Sequence, residues 1–201
     1  MGALSDEQLL GRFLGGDERS FELLVSRWQR PLFSFACRVL GRPEEARDVC
    51  QEAFLRVFSR ADRFRAGGRF STWLYQITLN LCRDILRRRQ RWERIMPDEA
   101  GASLMEGRLQ REAASDAESA EGVVARTWQR LRLRRALAAI PPEQREVVVM
   151  KEFQGLRFRE IAEILDCPES TVKSRMYYGL VNLRSVLADT EKAPAGGRRT
   201  T

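Results

Sequence analysis

The tripeptide Asp166-Cys167-Pro168 separates two helix-forming stretches within residues 156–187, and this break constrains the fold more than any other feature of the chain. Ahead of it, Phe158-Arg159-Glu160-Ile161-Ala162-Glu163-Ile164-Leu165 has the pattern of a short amphipathic helix. Proline disfavours α geometry at the residue before it and cannot continue a helix, so the first helix must stop there. A second helix begins near Glu169-Ser170-Thr171. On it Val172, Met176, Leu180, Leu183 and Leu187 fall within a wedge of roughly 80°, at about 100° per residue, and this wedge is expected to pack inward. The pattern predicts a helix-turn-helix.

The rest of the chain also follows helical spacing. Ser5-x-x-Gln8 has the form of a capping box ahead of Leu9, Leu10 and Phe13. Asp17 is placed to cap a second helix carrying Phe21, Leu24, Val25 and Trp28. Pro43, followed by Glu44 and Glu45, opens a third, because proline suits a first turn and acids there complement the helix dipole. Its apolar set is Ala46, Val49, Cys50, Ala53 and Val57; a fourth helix from about Ser71 aligns Leu74, Ile77, Leu81 and Ile85. Pro141-Pro142 divides a helix around Leu131–Ala139 from one holding Val147, Val148 and Met150. No stretch sustains strand alternation, so the expected fold is all-α, with two small helical domains.

Charge marks the division between them. Residues 1–94 hold 18 basic and 12 acidic side chains, residues 95–125 hold 2 and 7, and residues 126–201 hold 15 and 9. Two blocks of net +6 therefore flank a piece of net −5, which is rich in Ala, Ser, Gly and Glu and reads as a flexible acidic linker. The domains expected are 1–94 and 126–188, with 189–201 a disordered tail. A basic balance suits a polyanionic partner without identifying one. Histidine is absent, which removes imidazole chemistry and the commonest metal ligand. Cys37, Cys50, Cys82 and Cys167 form no CxxC pair and read as buried free thiols in a reducing compartment. No metal or cofactor is expected. The first residues lack the basic and apolar regions of a signal peptide, and no long uncharged apolar run exists, so the expectation is a cytoplasmic protein without a membrane partner.

Opposite its apolar wedge, the helix after Pro168 presents Ser170, Ser174, Tyr177 and Tyr178, flanked by Thr171, Lys173 and Arg175. Lysine and arginine reach phosphates or guanine edges, hydroxyls serve either role, and aromatic rings contact thymine methyls. A helix entering the major groove by its N-terminal end needs such a set. The plainer alternative is a helical hairpin with a solvated face, and Arg175 on the flank could equally brace the fold. A helix-turn-helix alone does not separate a repressor from other DNA-reading proteins.

The first block makes that separation. Asp48-Val49-Cys50-Gln51-Glu52-Ala53-Phe54-Leu55-Arg56-Val57-Phe58 sets acids and an amide over a buried apolar stripe. Phe70-Ser71-Thr72-Trp73-Leu74-Tyr75-Gln76-Ile77-Thr78-Leu79-Asn80 then leads into Arg83-Asp84-Ile85-Leu86-Arg87-Arg88-Arg89. Aromatics beside Asn and a run of Arg suit unstacked bases and a phosphate backbone. Trp73 taken alone reads as a core residue; the set says more.

On these residues the chain resembles the extracytoplasmic-function (ECF) sigma factors over nearly its whole length. That family's first domain reads D-x-x-Q-E-x-F, then T-W-L-Y-x-I-x-x-N, then D-x-x-R-R. The chain supplies Asp48, Gln51, Glu52 and Phe54, then Thr72, Trp73, Leu74, Tyr75, Ile77 and Asn80, then Asp84, Arg87 and Arg88. The second-domain pattern L-P-x-x-x-R, E-I-A, T-V-K-S-R is met by Ile140-Pro141 with Arg145, by Glu160-Ile161-Ala162, and by Thr171-Val172-Lys173-Ser174-Arg175.

The resemblance implies a sigma domain 2-like bundle and a sigma domain 4-like helix-turn-helix, and with them a mechanism. Asp48, Gln51, Glu52, Phe54 and Phe58 would dock on the β′ clamp helices of core RNA polymerase, whose β flap is the other implied contact. The loop from Phe64 to Ser71, with Arg65, Arg69 and Phe70, and Asn80 would capture flipped non-template bases of the −10 promoter element; Arg87 and Arg88, after Asp84, would hold its backbone, and Trp73, Tyr75 and Arg83 complete the −10 DNA-binding set. Ser170, Thr171, Lys173, Ser174, Arg175, Tyr177 and Tyr178 would read the −35 element. An anti-sigma factor is the implied regulatory partner, and no small-molecule substrate is implied.

The chain departs from the pattern at Tyr178-Gly179, where many relatives carry Arg-Ala, so an aromatic replaces a groove-facing Arg. The rival readings are a stand-alone repressor or activator, which needs a dimerisation or ligand domain, and an enzyme. For the latter the chain offers no GxxxxGK[ST], no GxSxG and no metal-ligand cluster.

Overall fold

The computed structural model describes residues 4–65, 67–95 and 120–192, and among these the regular structure is entirely helical. Ser5 begins it: its hydroxyl accepts the Gln8 N–H, and the Gln8 side chain accepts the Ser5 N–H, closing the capping box of α1 (Asp6–Leu14). α2 (Glu18–Leu40) starts at Asp17, but the Asp17 carboxylate accepts the Ser20 hydroxyl at 2.8 Å and does not cap the backbone as expected. Gly41, in the left-handed region at φ 76°, ends α2, and Pro43 opens α3 (Pro43–Ser59). A 3₁₀ turn (Ala61–Arg63) leads to α4 (Phe70–Ile95). The N-terminus of α4 is closed from a distance, by the Glu7 carboxylate accepting the Phe70 N–H at 3.0 Å.

The second block comprises α5 (Ala120–Ala139), α6 (Pro142–Val148), α7 (Phe158–Leu165) and α8 (Glu169–Lys192), with a single π-helical turn (Val149–Phe153) after α6. α7 stops at Asp166, which takes the left-handed conformation at φ 50°. Aspartate is one of the few residues with a side chain to tolerate that region, and Pro168 prevents any continuation. α5 begins inside the stretch expected as linker, and α8 runs beyond residue 188. The remainder of the linker and residues 193–201 lie outside the described residues.

Two cores share one continuous apolar interior. In the first, Leu9, Leu24, Leu32, Phe35, Val49, Ala53, Val57, Phe70, Leu74 and Leu79 are buried between α1, α2, α3 and α4. In the second, Leu137, Val147, Val148, Met150, Ile161, Ile164 and Val172 are buried between α5, α6, α7 and α8. Burying a large aliphatic side chain is worth about 1.5–3 kcal/mol, so each set supports a small domain. Cys37, Cys50 and Cys82 are buried and outside any disulfide, as expected, whereas Cys167 is only partly covered. Burial pushes the Cys50 thiol up to about 12 and raises Cys82 as well, which keeps both protonated and unreactive.

The inward face of α8 differs from the expected wedge. Val172 and Met176 are buried, but Leu180 is 43% exposed. Gly179 faces inward in its place: a Cβ added there would meet Val148 Cγ2 at 2.8 Å and Gln144 Cβ at 3.3 Å. The absence of a side chain lets α8 approach α6 closely, and its buried face runs through Val172, Met176 and Gly179, leaving Leu180 at the edge.

Hydrogen bonds and ion pairs between the two blocks rim this shared apolar interior. Arg83 donates from Nε and Nη2 to the two carboxylate oxygens of Glu146, at 2.8 and 2.6 Å. Arg69 pairs with Glu160. The Tyr75 hydroxyl donates to Gln154 Oε1 at 2.7 Å, and the Gln76 amide donates to the Glu163 carbonyl at 2.8 Å. Arg145, the arginine of the I-P-x-x-x-R motif, donates between the blocks to the Val39 carbonyl at 2.8 Å and within its own block to those of Ala138 and Ile140. It thereby satisfies carbonyls left open at the ends of α2 and α5.

Candidate nucleic-acid interface

On α3 the apolar positions Val49, Cys50, Ala53 and Val57 face the core, which turns Asp48, Gln51, Leu55 and Phe58 outward along one strip. Glu52 and Phe54 are half-buried beside it, with Glu52 paired to Arg56 at 2.8 Å. Phe58 is half exposed, and its ring is braced by Phe13 and Phe21 at centroid distances of 5.1 and 5.3 Å. Leu55, 56% exposed, belongs to this strip and was not among the expected docking residues. Its signal lay in the sequence, since it stands two helical turns after Asp48 on the polar face. An exposed leucine and phenylalanine ringed by acids and an amide form a surface suited to a protein partner.

The loop between the 3₁₀ turn and α4 brings Phe64 against Trp73, ring centroids 5.5 Å apart, with Phe70 beneath both at 6.5 and 6.3 Å. Phe70 is fully buried and Tyr75 is 2% exposed, its ring held edge-on between Trp28 and Phe35. Both therefore serve the core in this arrangement and present no face to a base. Burial also raises the Tyr75 hydroxyl above its ordinary value. The half-buried pair Phe64 and Trp73, with Arg65, Ser71 and the exposed Asn80, remains at the surface.

Helical spacing places Trp73, Gln76, Asn80, Arg83 and Arg87 on one stripe of α4. Along that stripe Gln76 and Arg83 are covered by the second block, whereas Asn80, Arg87 and Arg88 are exposed. Arg87 pairs with Asp84 on its own helix. Arg89 turns away to donate to the Leu40 carbonyl at 2.9 Å and to Glu45, and burial lowers its pKa to about 10.

On α8, Lys173, Ser174, Tyr177 and Tyr178 are exposed, and Ser170 stands beside them at the N-terminal end. Thr171 and Arg175 are half-buried on the flanks. The two tyrosine rings meet edge to face at 5.3 Å and are 65% and 56% exposed. Lys173 reaches back to Glu169 at 2.7 Å and lies 5.9 Å over the Phe158 ring. Leu180 and Val181 extend the exposed apolar strip beyond the tyrosines. Among the described residues no cluster of carboxylates or thiols is arranged to hold a metal ion, and no helix is long and apolar enough to cross a membrane.

Two helical units, one carrying an aromatic platform with exposed arginines and the other a helix-turn-helix with a hydroxyl-, lysine- and tyrosine-bearing helix, define a two-headed DNA-reading protein. Residues 24–92 match the family described as Sigma-70 region 2, and residues 130–183 match Sigma-70, region 4. The RNA polymerase sigma-H factor of Pseudomonas aeruginosa is 33% identical over 86% of this chain and 88% of its own length. The ECF RNA polymerase sigma-E factor of Escherichia coli is 32% identical over 87% of this chain and 90% of its own. Among solved structures, CnrH in complex with the cytosolic domain of CnrY superposes with a TM-score of 0.65, at 24% identity over 92% of this chain and 97% of that one. The sigma factor RpoE in complex with the anti-sigma factor NepR from Bartonella quintana gives a TM-score of 0.64, at 19% identity over 85% and 98%. At these identities the structural likeness is one of fold. The chain belongs to the sigma-70 family and, within it, to the ECF sigma factors. It is a regulatory subunit that directs promoter-specific transcription initiation by RNA polymerase, and the reading as a stand-alone repressor or activator is not favoured.

Proposed function

We propose that the chain divides promoter reading between its two blocks, residues 1–94 and 126–188, joined by residues 95–125. The Phe64–Trp73 platform, with Ser71 and Asn80, receives bases flipped from the non-template strand of the −10 element. Arg65, Arg69, Arg83, Arg87 and Arg88 hold the backbone around it. Unstacking costs a few kcal/mol, which aromatic stacking and phosphate contacts offset. Phe70 and Tyr75 support the platform from below. The exposed face of α8 enters the major groove of the −35 element: Lys173 and Arg175 take phosphates, Ser170, Thr171 and Ser174 take phosphates or base edges, and Tyr177 and Tyr178 contact thymine methyls. Asp48, Gln51, Glu52, Phe54 and Phe58 dock on the β′ clamp helices of core polymerase, with Leu55 as an added apolar anchor.

The observation that carries this reading is the stripe of α4, which sets Trp73, Asn80 and Arg87 in line on one helix face. The chain would act in the cytoplasm, where polymerase and promoter DNA are found. An anti-sigma factor is the regulatory partner, a reading supported by RpoE having been solved with the anti-sigma factor NepR. Run-off transcription with core polymerase, with and without the chain, tests the proposal. Initiation at selected promoters only when the chain is added is the expected result. Tight binding to a defined duplex by the chain alone, with no effect on core enzyme, would overturn it.

A further inference from the structure

Where α2 and α5 meet, arginines from both blocks gather. Arg145 ties the two helices together near their C-terminal ends, donating to the Val39 carbonyl on α2 and to the Ala138 carbonyl on α5. Beside that tie stand Arg38 on α2 and, one and two turns before Ala138, Arg134 and Arg130 on α5. The latter are four residues apart and share a helix face. Arg38 is held in place: its guanidinium lies 4.3 Å over the Phe153 ring, and Nη1 donates to the Ser34 carbonyl at 3.0 Å. Burial, followed by the charges of Arg134 and Arg130, lowers its pKa, and no carboxylate is among the groups that act on it. Arg134 Nη1 is buried without a hydrogen-bond partner among the described residues. Arg130 is exposed, so the cluster opens to solvent.

Elsewhere between the blocks an acid meets each arginine, Glu146 at Arg83 and Glu160 at Arg69. Around Arg38 the neighbouring charges are alike. Like charges four apart on a helix repel, and a buried guanidinium nitrogen left unpaired has lost its hydration without return. An anion relieves both. Guanidinium forks match phosphate oxygens two at a time, and three forks on two helices offer more donors than one carboxylate accepts. The rise of about 5.4 Å from Arg130 to Arg134 is wider than the oxygens of one phosphate, which favours two phosphates linked.

We propose that Arg38, Arg130 and Arg134 form a binding site for the diphosphate group of a small molecule, which bridges the two blocks. One phosphate takes Arg38 and the covered Arg134 Nη1, and the other takes Arg130 at the open end. Because the ligand touches both blocks, it favours the arrangement in which they are packed. Inorganic pyrophosphate and nucleoside diphosphates both carry the group.

The test is isothermal titration of the full chain with inorganic pyrophosphate, against sodium chloride of matched ionic strength. One-site binding that the chloride arm lacks is the expected result. Arg130→Gln with Arg134→Gln should weaken it at least about tenfold, the loss that follows removal of a charged, hydrogen-bonded contact. Arg38→Gln, in the other block, should weaken it similarly. Arg12→Gln with Arg19→Gln removes the same charge from exposed arginines near the start of α2, the end remote from Arg38, and should leave it unchanged. Circular dichroism checks the fold. Arg130→Glu, at an exposed position, carries the test should the double variant unfold. Adenosine and guanosine diphosphate make the second arm: tighter binding than pyrophosphate supports a nucleotide as the ligand, and equal binding supports the phosphates alone. Three results overturn the proposal: no binding beyond the chloride arm, native affinity in the Arg38 or α5 variants, or an equal loss in the control pair, the mark of diffuse attraction to a basic chain.

Discussion

Arg83 and Glu146 form a two-bonded ion pair, at 2.8 and 2.6 Å, between residues 63 positions apart on different domains. The bond to Glu146 is the main reason the Arg83 pKa is raised, against the opposing effect of burial. Glu146 keeps 3% of its side chain in solvent, whereas Arg83 keeps 32%. A carboxylate that deep is tolerable only while its partner is present.

Replacing Arg83 with Met should therefore weaken the closed arrangement by about 1–3 kcal/mol, the buried-pair cost reduced because Arg83 is partly solvated. Separation of the domains hydrates Glu146, so opening is expected and not unfolding. Solution scattering should show a larger particle while far-ultraviolet circular dichroism stays unchanged.

Gly179→Ala should give a sign that depends on residue 148. In the native background the new Cβ meets Val148 at 2.8 Å. The overpacking cost of about 1–3 kcal/mol outweighs or cancels the gain of about 1 kcal/mol from removing a helical glycine. In a Val148→Ala background the space exists, and the same change should stabilise. Denaturant unfolding of the four proteins of this cycle measures both signs.

Tyr178→Ala should leave stability within about 0.5 kcal/mol, because the ring is 56% exposed. Run-off transcription from a promoter that depends on its −35 element should fall. Equal loss on a promoter lacking that element would remove Tyr178 from the recognition set.

Lys173→Ala should weaken DNA binding and lower the slope of log affinity against log salt by about 0.9, the effect of one phosphate contact. Its bond to Glu169 is exposed and should contribute little, so thermal stability should barely change. Fluorescence anisotropy across a salt series reads the slope.

Glu7→Gln should alter the acid limb of stability. Burial would raise this carboxyl, but its bond from the Phe70 N–H, its other hydrogen bonds and the Arg69 charge prevail and hold it below the ordinary 4.5. A depressed folded-state value adds stability that is present above the unfolded value and lost as pH falls through the folded one. The native chain's advantage over the glutamine variant should thus shrink below about pH 4.5, and it should amount to less than about 1 kcal/mol because solvent screens the group. Thermal midpoints across pH measure it.

Much of the fold was legible because its determinants are local. The Ser5–Gln8 box, Pro43 and Pro142 at helix starts, and the Asp166–Pro168 stop each act within a few residues. The alternation of Val49, Ala53 and Val57 with Asp48, Gln51 and Glu52 assigns two faces to α3 by spacing alone. The set proposed for the −10 element was legible only as a cluster of residue types: Phe70 and Tyr75 carry the same chemistry as Phe64 and Trp73, and only packing put one pair in the core. Leu180 likewise matched the apolar period of α8, but the close approach of the helix to Val148 is made at Gly179, and Leu180 lies at the edge of that face, partly in water.

The sequence by itself determined the helices, the helix-turn-helix, the two basic blocks and the family, since periodicity, capping and motif order all act over short spans. Only the tertiary structure decided that Arg83 meets Glu146, that Arg69 meets Glu160 and that Tyr75 reaches Gln154. Pairs so distant along the chain leave no period to read. They are chosen by which side chains the packing of the two blocks brings face to face.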